Sequence, residues 1–78
     1  MTTTNVEWAP GQPSEEESAQ IRDKAAEMAS QGKTDNNPTT TQVGDDIIYQ
    51  RTWTTVTDAE EWVTFVEQFN PVSATITN

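Results

Sequence analysis

A chain of 78 residues with 13 acidic and 4 basic side chains carries a formal charge of -9, which repels the phosphate backbone on which nucleic-acid affinity chiefly depends and argues against direct binding to DNA or RNA. Cys and His are both absent, which removes thiol nucleophiles, disulfides, the commonest zinc ligands and the side chain that titrates near neutrality. One domain is the only reasonable count, and with 32% hydrophobic residues its core must be thin, so a partner surface or an oligomer would help it.

The first residues, MTTTNVEWAPGQ, contain neither a basic region followed by an apolar segment nor a membrane span, so a cytoplasmic location is expected. Thr4, Val6 and Trp8 alternate along one side of an extended segment, which predicts an edge strand or an arm within residues 1–13, stopped by Ala9-Pro10-Gly11. Ser14 and Glu17 have the spacing of a capping box, and Glu15, Glu16 and Glu17 suit the positive end of a helix dipole. The helix they open has a narrow stripe of Ile21, Ala25, Met28 and Ala29 and is expected to end near Gly32, with Lys33 close to its negative end. Residues 33–41, KTDNNPTTT, are polar and rich in turn formers, which predicts a flexible surface loop. Residues 39–43 and 46–55 are expected to pair as a hairpin about Gly44-Asp45, a pair suited to a type II′ turn. In its second strand Ile47, Tyr49, Arg51 and Trp53 share one face, expected to lie against the helices.

Thr57 and Glu60 form a second capping-box pair, followed by a helix whose Ala59, Trp62, Val63, Phe65, Val66 and Phe69 cluster on one side at about 100° per residue. Asn70-Pro71 should terminate it, because the residue before proline is pushed out of the helical region. Val72, Ala74 and Ile76 then alternate with Ser73, Thr75 and Thr77 as a strand with one buried face. The order strand, helix, strand, strand, helix, strand predicts an α+β fold: a small two-layer ferredoxin-like sandwich with two helices on one face of an antiparallel sheet. Because the first helix offers little apolar area, the alternative is a compact unit over residues 43–78 behind a flexible N-terminal arm.

Chemistry-bearing constellations are few. Glu15, Glu16 and Glu17 point in different directions and cannot converge on one cation, and Asp35, Asp45 and Asp46 lack EF-hand spacing. No Gly-rich phosphate loop occurs, no cofactor or metal is expected, and a domain this thin rarely encloses a ligand-sized pocket in which two carboxylates could do acid–base work. Three tryptophans are many for this length, and Trp favours interface centres as well as cores. Trp62 reads as core, whereas Trp8, beside Glu7 on a polar arm, reads as an exposed anchor. Arg51, between Tyr49 and Trp53 on one strand face, can stack on either ring, with a packing role favoured over recognition. The candidate interaction residues are therefore Trp8, Glu7, Arg51, Trp53, Glu60, Glu61 and Glu67.

Residues 51–76, RTWTTVTDAEEWVTFVEQFNPVSATI, resemble short uncharacterised proteins encoded by tailed bacteriophages, in which an Arg-x-Trp strand precedes an acidic Glu-Trp-Val helix and a final strand. The resemblance implies a viral accessory protein acting in the host cytoplasm and carries over no catalytic residue. The leading expectation is a non-enzymatic interaction module that engages a basic surface of a host or viral protein, since an acidic field speeds that encounter. A nucleic-acid mimic is its sharper form, and a structural protein that completes its core by homo-oligomerisation is the alternative.

Overall fold

The computed structural model describes residues 2–35 and 37–78. Four strands and two helices follow one another as β1 (Thr2–Trp8), α1 (Glu15–Ser30), β2 (Thr39–Val43), β3 (Asp46–Trp53), α2 (Val56–Glu67) and β4 (Ser73–Thr77). The strands form one antiparallel sheet in the order β2-β3-β1-β4, and the helices pack on a single face of it. This is the expected two-layer α+β architecture with ferredoxin-like topology.

β1 is not an edge strand or an arm. It runs along all of β3 but Asp46, from Thr2 opposite Trp53 to Trp8 opposite Ile47, and pairs with β4 along its other side. The reason lies in the crossovers: each β-α-β connection skips one strand position, and the skipped slot is filled by the other half of the chain. The first strand is therefore interior, and Thr2, Thr4, Val6 and Trp8 all lie buried on its helix side. Trp8, only 4% exposed, is a core residue rather than a surface anchor. Nor is there a compact C-terminal unit with a loose arm, because Val6 and Trp8 share one core with Ala25 and Met28 of α1 and with Ala59, Trp62 and Val66 of α2.

Local signals act at short range as the residues dictate. Ser14 Oγ accepts from the Glu17 amide at 3.1 Å while Glu17 Oε1 accepts from the Ser14 amide at 2.9 Å, completing the capping box of α1. At the other end Gly32 takes φ +76°, with its amide donating to Ala29 O and the Lys33 amide to Met28 O, the paired bonds of a Schellman motif. Gly44, at φ +62°, opens the two-residue turn between β2 and β3, in which Val43 faces Asp46. Thr39–Val43 is the first strand of the expected hairpin, so residues 39–41 of the segment 33–41 belong to β2 rather than to a loop, and Thr34 forms an isolated bridge with Trp53; Asn36 of that segment lies outside the described residues.

The second capping box does not form. β3 ends at Trp53, the chain turns at once, and Thr55 in extended backbone caps α2, its Oγ1 accepting from the Asp58 amide at 3.1 Å. The helix therefore starts two residues earlier than Thr57 would have set it, and Glu60 falls beyond the third helical position. Its end comes through Asn70 at φ +57°, a left-handed conformation that asparagine tolerates better than most side chains. Val72 is 53% exposed, whereas Ala74 and Ile76 are half-buried against the core, because β4 begins only at Ser73.

Candidate functional site

The acidic charge is unevenly placed. Five of the thirteen carboxylates lie on α1 and four on α2, whereas the open face of the sheet holds only Glu7 and Asp46 among Thr3, Asn5, Ile48, Gln50, Thr52 and Thr75. Glu60 and Glu67 are exposed on α2, seven residues and so about two turns apart, and Glu16, Asp23 and Glu27 are exposed along α1. Glu7, by contrast, sits beside Asp46 on the opposite surface. Its hydrogen bond to Asp46, with some desolvation and the repulsion between the two carboxylates, raises its pKa above the ordinary 4.5.

Glu61 is already engaged within the fold. Its two oxygens take Lys24 Nζ of α1 at 2.9 Å and Lys33 Nζ, just after α1, at 3.1 Å, so that one carboxylate clamps the first helix to the second. These two hydrogen bonds hold Glu61 below 4.5, and the one to Lys24 raises the pKa of that amine above 10.5. A depressed carboxylate pKa stabilises the fold above the unfolded value and loses that contribution as pH falls through the folded value; the raised Lys24 contributes below 10.5 and is lost as pH rises through its folded value. Both apply at neutral pH. Because solvent reaches all three side chains and screens them, Glu61→Gln is expected to cost about 1 kcal/mol at pH 7, with the gap to the parent closing below pH 4.5. Urea denaturation at the two pH values checks this, and a gap independent of pH would show that the clamp is not ionic.

Arg51 and the tryptophans build a second feature. Trp53 lies in the core, its ring centroid 5.3 Å from that of Trp62 and its Nε1 donating to Thr4 Oγ1 at 2.8 Å. Arg51, 9% exposed, holds its guanidinium carbon 4.9 Å from the centroid of the Trp62 ring. Burial lowers its pKa from the usual value, and the charges of Asp35 and Tyr49 partly oppose that. Beside this pair is a cavity of about 270 Å³, walled by Val6 and Trp8 of β1, Tyr49 of β3 and Trp62 of α2. Ser18, Ile21 and Arg22 of α1, with Pro13 and Pro38, line its remaining side, which is partly open to solvent. The aromatic walls follow from the sequence pattern, whereas a ligand-sized space is rare in so thin a domain. The cavity exists because the inward stripe of α1 runs Ser18, Ile21, Ala25, Met28: its C-terminal half buries Ala25 and Met28, while Ser18 stands where a larger apolar side chain would fill the gap.

Among the described residues no helix is long and apolar enough to cross a membrane, and no group of three or more His, Cys, Asp or Glu is placed to hold a metal ion. No protein-family model, no curated protein and no solved structure matches the chain.

Proposed function

We propose that the protein is a non-enzymatic interaction module, an accessory protein or inhibitor whose helical layer docks on a basic surface of a host or viral protein in the cytoplasm. The observation that carries this reading is the concentration of nine of the thirteen carboxylates on the two helices of one layer, against an open sheet face that is mostly threonine and amide. Such one-sided charge orients an approaching basic surface and raises its association rate, most strongly at low salt. Trp8 has no part in the contact; Glu60 and Glu67 of α2, with Glu16, Asp23 and Glu27 of α1, form its face. The resemblance of residues 51–76 to small tailed-phage proteins agrees with an accessory role.

The test is affinity capture from host lysate at low and moderate salt, comparing the parent with Glu60→Lys/Glu67→Lys, a change at two exposed positions that leaves the core intact. A protein recovered at moderate salt by the parent, and at least about tenfold less by the variant, is the expected result, since reversing two rim charges slows association. Equal recovery, or none, would overturn it. A second reading, self-association, is favoured by β2, whose five residues TTTQV are all exposed, uncharged and at the sheet edge. Sedimentation that depends on protein concentration and is abolished by Thr41→Lys would support that reading instead.

A further inference from the structure

We propose that the cavity between α1 and the sheet binds a small organic anion with an aromatic or branched apolar body. Its volume of about 270 Å³ lies just below the range of roughly 300–1,000 Å³ usual for small-molecule sites, and its walls are chiefly apolar and aromatic, with Trp8, Tyr49 and Trp62 around it. The charge distribution selects the ligand. The chain has four basic side chains, and Glu61 takes both lysines; the two arginines, Arg22 and Arg51, both line this cavity, and none of the lining residues is acidic in a protein of charge -9. The cavity is therefore lined by cations and by no carboxylate, with the charge of Asp35 reaching Arg51 from outside the lining. Arg22, exposed at the mouth on α1, makes no ion pair among the described residues and can present its planar fork to a carboxylate or sulfonate. Arg51, deeper and stacked on Trp62, adds positive potential where burial weakens solvent screening.

A packing gap under Ser18 is the competing account, and the two differ in what they predict. A mere gap has no preference for the sign of a ligand's charge. The probes are three compounds with one ring: indole-3-acetate, neutral 3-methylindole and cationic tryptamine, followed through the indole N–H signals of Trp8 and Trp62 by NMR and by calorimetry. The expected result is that indole-3-acetate at millimolar concentration shifts both signals and binds at least about tenfold more tightly than tryptamine, the factor that one charge-assisted hydrogen bond supplies. Arg22→Gln should weaken the anion by roughly tenfold while leaving 3-methylindole unchanged. Ser18→Leu, which extends the apolar stripe of α1 into the space, should abolish binding of all three while keeping the fold. Equal affinity for the anion and the cation, an anion affinity unaffected by Arg22→Gln, or no shift at Trp8 and Trp62 with any probe would each overturn the site.

Discussion

Trp53→Ala is expected to remove a large share of the domain's stability and to shift its unfolding midpoint far below that of the parent. The side chain is 1% exposed and in ring contact with Trp62, so truncation removes its burial and opens a hole that the sheet cannot close, costing about 3–5 kcal/mol. A domain of 78 residues has roughly 4–12 kcal/mol of stability in all, so one substitution takes a large share. Denaturant unfolding followed by far-ultraviolet circular dichroism reads this directly, and a midpoint close to that of the parent would show that Trp53 does not hold the core. The polar part of its role separates cleanly. Trp53→Phe keeps much of the packing but leaves the Thr4 hydroxyl, 0% exposed, without its indole donor, a loss of about 1–3 kcal/mol. Thr4→Val added to Trp53→Phe should recover part of that loss, because removing both partners avoids a buried unpaired group.

Trp8→Ala should be the second most damaging change, lowering stability by about 3 kcal/mol or more, because Trp8 is buried on the inner face of a central strand and already borders a cavity that the truncation would enlarge. A surface anchor would behave in the opposite way: its removal would cost a binding partner and leave the unfolding midpoint in place. Urea titration of this variant therefore decides between the two roles. An unchanged midpoint would return Trp8 to the surface and contradict the interior position of β1. Glu60→Lys/Glu67→Lys changes only exposed positions, so a loss of capture in that variant reports on the surface and not on the core.

How far the residues announced the outcome depended on the range of the interaction involved. Ser14 and Glu17 meet three residues apart, and Gly32 acts on the turn it ends, so their roles were legible in the chain. The face of β3 carrying Tyr49, Arg51 and Trp53 was legible for the same reason, since alternation is a property of the strand itself. The cap of α2 was not, because Thr55 and Thr57 are both competent and the choice fell to where β3 stops. The sequence marks Glu61 only as a candidate interaction residue on α2, and it is the placement of α1 that brings Lys24 and Lys33 to it.

By itself, the sequence determined the order and type of all six elements, the two-layer α+β class and the acidity of the surface, because periodicity, capping and charge are local or additive quantities. Tertiary structure alone decided which strand is interior, which tryptophan is hidden, which carboxylates remain unpaired and that a cavity edged by two arginines lies beneath α1. Each of those depends on residues dozens of positions apart meeting across the sheet, and no short-range pattern encodes which distant segment fills a skipped strand slot or how closely a helix with a narrow stripe can approach it.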